Sequence, residues 1–212
     1  MKINANHFAE GVKVIPTPNK SGSIVPELII VHDTAGQLDY MTSVEWLCNP
    51  QAKASAHFVI GRKGEIVQLA SCLVRCWHAG VSSYHGRSNV NAFAIGVEFA
   101  NPGKLRGVEG SPLVRADFGK TYDIKAYGVE YKETPQHGRG FWMPYTEAQL
   151  TTGFALCMAI KEKYNITSCA PHWEISPGRK IDTNPLFPLE RLRSRLIGRG
   201  DDDTHPIEVS LT

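Results

Sequence analysis

The stretch that most constrains the fold is Leu28-Ile29-Ile30-Val31, an unbroken apolar run that stops at His32-Asp33 and gives way to Thr34-Ala35-Gly36. A short run of this kind, largely β-branched and bounded by polar residues and glycine, forms a buried strand. Its last residues then stand where the chain leaves the sheet. Ala94-Ile95-Gly96-Val97-Glu98-Phe99-Ala100 predicts a second strand, with one carboxylate set inside an apolar run. His57-Phe58-Val59-Ile60 and Glu65-Ile66-Val67-Gln68-Leu69 flank Gly61-Arg62-Lys63-Gly64 and predict a β-hairpin. Asp39 caps a helix predicted from Tyr40 to about Cys48, which Asn49-Pro50 ends. Thr146 with Gln149 fits a capping box at the start of a long helix. Its apolar face includes Leu150, Phe154, Cys157 and Tyr164, and Gly153 within it marks close packing. A last helix spans about Leu189 to Leu196. Strands separated by helices, with one hairpin, specify an α/β fold: a mixed central β-sheet flanked by helices.

Two regions are less regular. The first 26 residues read as loop, punctuated by Pro16, Pro18, Gly22 and Pro26. Residues 101–145 are rich in glycine, proline and aromatics, yet a structureless stretch of that length is unusual in a compact domain. Tyr127–Tyr131 and Gly140–Met143 are expected to pair as short strands in an ordered elaboration beside the main sheet. The expected organisation is a single domain over 1–198 with this elaboration at 101–145, followed by an acidic tail at 199–212. Arg199-Gly200-Asp201 in that tail is a chance tripeptide.

Composition narrows the function classes. The 212 residues carry 23 Lys+Arg against 21 Asp+Glu, a net charge of +2, which lacks the basic excess of a nucleic-acid binder. An apolar fraction of 42% excludes a disordered chain. Met1–Glu10 has neither the apolar core nor the cleavage site of a signal peptide, and no apolar run is long enough to span a bilayer. The expectation is a cytoplasmic protein, or one released or exported by a route other than the general secretory one. Five irregularly spaced cysteines do not form a secreted disulfide framework, and Cys72/Cys76 matches no zinc or redox motif. They are expected to be reduced and partly buried.

Three residues suggest chemistry. His32 ends the first strand, His172 lies in Cys169-Ala170-Pro171-His172-Trp173-Glu174, and Asp182 follows in Pro177-Gly178-Arg179-Lys180-Ile181-Asp182. Two imidazoles and a carboxylate suit a catalytic Zn²⁺ with a fourth position left for water, whose pKa the metal lowers. With eight histidines in the chain, spacing alone leaves other triads open.

Several dispersed motifs in a fixed order then resemble one family. Ile30-Val31-His32-Asp33-Thr34-Ala35, Ser55-Ala56-His57-Phe58-Val59-Ile60, Trp77-His78-Ala79-Gly80, Ile95-Gly96-Val97-Glu98 and Pro177-Gly178-Arg179-Lys180-Ile181-Asp182 are similar to those of the type 2, AmpD-like N-acetylmuramoyl-L-alanine amidases, which share the peptidoglycan recognition protein fold. The resemblance covers roughly residues 28–100 and 146–187. It implies one Zn²⁺ per chain held by His32, His172 and Asp182, the branch with a carboxylate where other members use cysteine; Cys169 is no ligand by motif. It implies Glu98 as catalytic acid/base and Lys180 as stabiliser of the developing oxyanion. Where other branches place a contributing tyrosine, this chain has Ala56, so proton transfer falls on Glu98.

The same resemblance places Trp77, His78, Arg87 and Asn91 along the substrate groove, the last two against the peptide stem. His57 either lines that groove or is a satisfied core histidine. His7, His85, His137 and His205 carry no family signal and read as surface. Tyr122, Tyr127, Tyr131, Phe141, Trp142 and Tyr145 either wall the groove or pack as plain structure. The implied activity is hydrolysis of the amide between N-acetylmuramic acid and L-alanine of peptidoglycan or muropeptides. The implied partner is that substrate, with no nucleic acid and no integral membrane segment, and the expected state is a monomer. A non-catalytic peptidoglycan-binding module, which a broken ligand set would accompany, and a zinc peptidase of different specificity are the alternatives. Muropeptide recycling, phage or prophage lysis and an exported toxin are all compatible contexts.

Overall fold

Before the irregular region the chain forms β1 (Lys13–Val14), β2 (Lys20–Ser23), β3 (Leu28–Asp33), α1 (Tyr40–Leu47), β4 (Phe58–Ile60), β5 (Ile66–Gln68), β6 (Val74–Cys76), β7 (Ser83–Tyr84), β8 (Arg87–Ser88) and β9 (Ala94–Phe99). Then come β10 (Lys104–Arg106), β11 (Leu113–Ala116), β12 (Thr121–Asp123), α2 (Ile124–Tyr127), β13 (Glu130–Thr134) and β14 (Gly138–Trp142), followed by α3 (Glu147–Tyr164), β15 (Cys169–Pro171), α4 (His172–Ile175) and α5 (Leu189–Leu196). The computed structural model describes residues 1–108 and 110–199, so the tail expected at 199–212 lies, apart from Arg199, outside the described residues.

A six-stranded mixed sheet has the order β1-β5-β4-β9-β3-β15. All six residues of β3 are buried, as an apolar run with no polar face requires. β3 lies parallel to β9 over its whole length, from Leu28 opposite Ala94 to His32 opposite Glu98 and Asp33 opposite Phe99. β15 is parallel to β3 on the other side, with Pro171 opposite Val31. β4 and β5 form the expected antiparallel hairpin. Three neighbouring parallel strands therefore end at one edge, the edge where open α/β sheets bind ligands.

Side chains alternate across the sheet and separate its two layers. Ile29, Val31, Ile95, Val97 and Phe99 pack with Phe154, Leu156, Cys157 and Ile160 of α3 and with Leu192 and Leu196 of α5. Leu28, Ile30 and Ala94 face the other way, against Val90, Phe93, Ala170 and Ile175. By the same alternation His32 and Glu98 lie on the face away from α3. Asp39 caps α1 by accepting from Met41 N at 3.0 Å, and Thr146 caps α3 by accepting from Gln149 N at 3.2 Å.

Residues 104–142 form a second, five-stranded antiparallel sheet of order β12-β11-β10-β14-β13. β13 and β14 pair as expected, but β13 begins only at Glu130. Tyr127 instead ends α2, because Asp123 caps that turn by accepting from Ala126 N at 2.7 Å and Gly128 closes it at φ 60°. This sheet has a small core of its own, with Leu105, Val114, Tyr122 and Met143 buried in it. The N-terminal stretch also departs from plain loop: Lys13–Val14 extends the main sheet and Lys20–Ser23 pairs with β6. All five cysteines are free thiols. No helix among the described residues is long and apolar enough to cross a membrane.

Gly153 is where α3 meets the sheet, and a Cβ there would enter the Phe99 ring. Gly153→Ala is expected to destabilise the fold by about 1–3 kcal/mol through overpacking, outweighing the roughly 1 kcal/mol that alanine gains over glycine in a helix. Equilibrium urea unfolding should show a lower midpoint, and an unchanged or raised one contradicts the packing.

Candidate metal centre and active site

The parallel register brings the three predicted donors together. His32 Nδ1 lies 3.0 Å from His172 Nδ1 and 3.2 Å from Asp182 Oδ2, and His172 Nδ1 lies 2.9 Å from the same oxygen. Four-coordinate zinc with donors about 2.0–2.1 Å away spaces them roughly 3.3 Å apart, so the three atoms match one face of that tetrahedron. His172 Nε2 donates to Ala79 O at 3.2 Å, which leaves its Nδ1 lone pair facing the other two donors. Burial lowers His32 to about 4, with repulsion from His172 in the same direction and the Asp182 carboxylate opposing. It is therefore a neutral imidazole at physiological pH, the form that binds metal. The residues present fit a single Zn²⁺ held by His32, His172 and Asp182.

Asp182 sits on a loop, but that loop is tied to β3. Thr183 Oγ1 donates to Val31 O at 3.0 Å, and Asn184 N donates to Asp33 Oδ2 at 2.9 Å. Tyr145 OH donates to the other oxygen of Asp33. Burial pushes the Asp33 carboxyl up to about 8, and the Tyr145 bond opposes this only in part. The strand that carries the first ligand therefore also fixes the loop that carries the third.

Glu98 stands beside His32 across the β3–β9 pair. Its Oε2 is buried and has no hydrogen-bond partner within the protein. Burial raises its carboxyl to about 8, with the charges of Asp182 and Asp33 adding and that of Lys180 opposing. Lys180 is half-buried and acts electrostatically on both His32 and Glu98. An unpartnered buried carboxyl carries a desolvation cost, and such groups cluster where a reacting proton has to be held.

The residues expected along the groove differ in burial and partners. His57 is fully buried, with Nε2 donating to Val74 O at 2.8 Å and Nδ1 accepting from Gly96 N at 3.0 Å, so it is a satisfied core histidine and lines no groove. Asn91 is also buried: its Oδ1 accepts from His78 N and Ala79 N at 3.1 and 2.8 Å, which leaves that oxygen committed to the backbone. Arg87 is exposed, pairs with Glu27 at 2.5 Å and lies 4.0 Å from the centre of the Phe93 ring, so its guanidinium is engaged by two groups of this chain. Trp77 is half-buried and donates through its indole to Ser21 Oγ at 3.0 Å. His78 is buried behind His32, with Nδ1 3.1 Å from His32 Nε2.

Of the histidines read as surface, His85 is exposed, His7 is half-buried with Nδ1 2.8 Å from Tyr164 OH, and His205 lies outside the described residues. His137 is buried, because the β13–β14 turn folds it back onto Thr183 O at 2.9 Å. Of the aromatics at 101–145, Tyr122, Trp142 and Tyr145 are buried. A cleft of about 440 Å³ opens beside Glu98, lined by Thr34 and Gln37 from the loop after β3, by Trp46 of α1 and by Phe118 of the β11–β12 turn. Trp46 and Phe118, 58% and 40% exposed, were not singled out in the sequence. The available signal was a large aromatic on the polar side of an amphipathic helix and another in a tight turn.

The sequence matches the profile of the N-acetylmuramoyl-L-alanine amidase family over residues 22–185. It is 27% identical over 207 residues to the 1,6-anhydro-N-acetylmuramyl-L-alanine amidase AmpD of Escherichia coli K12, an alignment covering 86% of this chain and 91% of that one. A crystal structure of a selenomethionine AmpD derivative superposes with a TM-score of 0.61 at 24% identity, covering 93% of this chain and 99% of that one. The E. coli amidase AmiD, solved with anhydro-N-acetylmuramic acid-L-Ala-D-gamma-Glu-L-Lys, gives the same TM-score and identity over 90% of this chain, which spans 61% of that longer one. Because the matched span runs from before β3 to beyond Asp182, and so takes in all three donors and Glu98, the chain belongs to the family of N-acetylmuramoyl-L-alanine amidases.

Proposed function

We propose that this chain is a zinc-dependent amidase that hydrolyses the amide joining the lactyl group of N-acetylmuramic acid to L-alanine, in peptidoglycan or in its soluble fragments. The observation that carries this reading is the triangle of His32, His172 and Asp182 donors beside the buried, unpartnered Glu98 oxygen. When bound, zinc supplies Lewis-acid polarisation and lowers the pKa of water. Glu98 takes a proton from the attacking water as its oxygen adds to the carbonyl carbon. It returns that proton to the departing alanine nitrogen as the C–N bond breaks. Lys180 places its ammonium near the oxygen on which negative charge develops. The adjoining cleft, with aromatic side chains at Trp46 and Phe118, gives the glycan or the peptide stem a surface to lie on. A binding module would need no complete donor set, and this set is complete.

The direct test is mass spectrometry of products from purified murein and from a soluble anhydro-muropeptide. Stem peptides beginning with L-alanine should appear, disappear with a zinc chelator and return with added Zn²⁺. Cleavage at any other bond makes the chain a zinc hydrolase of different specificity, and absence of both cleavage and bound zinc overturns the proposal. The better substrate of the two separates a recycling enzyme from a wall-lytic one.

Glu98→Gln should keep zinc and lose turnover by about 10²–10⁴-fold, measured as kcat on the soluble substrate. A second readout follows from burial of the same group. Between its ordinary value of 4.5 and about 8, the folded metal-free chain holds a proton on Glu98 that the unfolded chain has released. Its contribution to stability is therefore complete below the ordinary value and is lost as pH rises to about 8. Metal-free Glu98→Gln should outlast wild type in denaturant by a margin that widens across that window. A margin independent of pH contradicts the burial argument.

A further inference from the structure

The turn at His78-Ala79 lies against both metal-binding imidazoles, yet its side chains reach no open surface. Ala79 O lies 3.2 Å from His172 Nε2 and favours the tautomer with hydrogen there, and Arg179 Nη2 donates to the same carbonyl at 2.6 Å and lies 3.4 Å from the ring nitrogen. The matching partner of the other ligand is a side chain. His78 Nδ1 lies 3.1 Å from His32 Nε2, and His78 Nε2 lies 3.3 Å from Ala94 O.

We infer that His78 is a positioning residue for the metal centre: it accepts a hydrogen bond from His32 Nε2 and so holds His32 in the tautomer and ring orientation that turn its Nδ1 lone pair toward His172 and Asp182. This role rests on the zinc reading above. The chain of bonds has one direction. A carbonyl only accepts, so His78 Nε2 carries the hydrogen that meets Ala94 O. In a neutral imidazole the other nitrogen is then an acceptor, so His78 Nδ1 receives the hydrogen of His32 Nε2. His32 is left with an unprotonated Nδ1, the atom that belongs to the donor triangle. The order of the relay is set by Ala94 O, a backbone atom of β9, and the ring itself is boxed in. A Cβ at Gly96 would lie 2.5 Å from His78 Cγ, so the ring occupies space that only glycine leaves open. The His57 ring stands edge-on at 5.8 Å, itself tied to Gly96 N. Asn91 Oδ1 accepts from both His78 N and Ala79 N, so one amide clamps the turn that orients both imidazoles. Partners of this kind outside the ligand shell fix ring orientation and raise ligand basicity, and their loss costs metal affinity.

Two variants and one spectrum test this. His78→Leu removes the acceptor while keeping an apolar filler, whereas His78→Asn keeps an amide oxygen close to the place of Nδ1. Zn²⁺ affinity is measured by competition with a chromophoric chelator, and the Co²⁺-substituted proteins are compared by visible absorption. Far-UV circular dichroism and melting of the metal-free forms check the fold. His78→Leu is expected to fold and to bind Zn²⁺ about 10–100-fold more weakly, with an altered Co²⁺ spectrum. His78→Asn should recover most of the affinity. Leucine binding within twofold of wild type, or asparagine binding no tighter than leucine, overturns the role. Should His78→Leu fail to fold, long-range ¹H–¹⁵N spectra of the metal-free wild type decide instead. Hydrogen on Nε2 of both His32 and His78 supports the relay, and hydrogen on Nδ1 of either overturns it. A folded wild type that binds no zinc overturns the amidase reading itself, an outcome separate from any difference between the variants.

Discussion

The site depends on the in-register parallel pairing of β3 with β9 and β15. Side chains on parallel strands meet their neighbours at the same height, so one register places His32 beside Glu98, and the strand ending at Pro171 delivers His172 to the same edge. A slip of one residue would move His32 to the face packed by α3 and dismantle the donor triangle. That register is held by apolar side chains on both faces of β3, which cannot slide without exchanging two separate cores. The accuracy of a metal site at the sheet edge is thus supplied by the hydrophobic layers beneath it.

Function here sits against stability. Asp33 and Glu98 are carboxyls pushed up to about 8 by burial, and His32 and His57 are imidazoles pushed down to about 4. Two of these four groups recover part of the cost through these hydrogen bonds: Asp33 to Tyr145 and Asn184, His57 to Val74 and Gly96. Glu98 recovers least, having one oxygen without a partner. A structural carboxylate would be partnered or solvated, whereas the proposed function, in which Glu98 exchanges protons with substrate, requires a lone pair kept free.

Much of this was legible in the sequence, for identifiable reasons. The apolar runs at 28–31 and 94–100, the hairpin around Gly61–Gly64 and the caps at Asp39 and Thr146 are local signals, and local physics decides them. The donors were legible because their motifs recur in fixed order. What escaped depends on contacts between distant segments. Arg87 reads as a carboxylate binder and does bind one, but that carboxylate is Glu27, sixty positions away. Asn91 reads as a groove residue and His137 as surface, and only the fold brings backbone groups onto them. The stretch at 101–145 hides a sheet because its strands are short and broken by turns, so alternation never runs long enough to stand out. Trp46 lies on the exposed side of α1, and only the neighbouring Phe118 turn makes that side the wall of a cleft.

The loop bearing Asp182 is bonded to β3 through Thr183 and Asn184, entirely by protein groups. Its position is therefore tied directly to the strand. In many small metalloproteins the ion is the keystone and its departure collapses the arch. Here the bonds of Thr183 and Asn184 to β3 give the third donor a second anchor, so the loop and the strand share one frame.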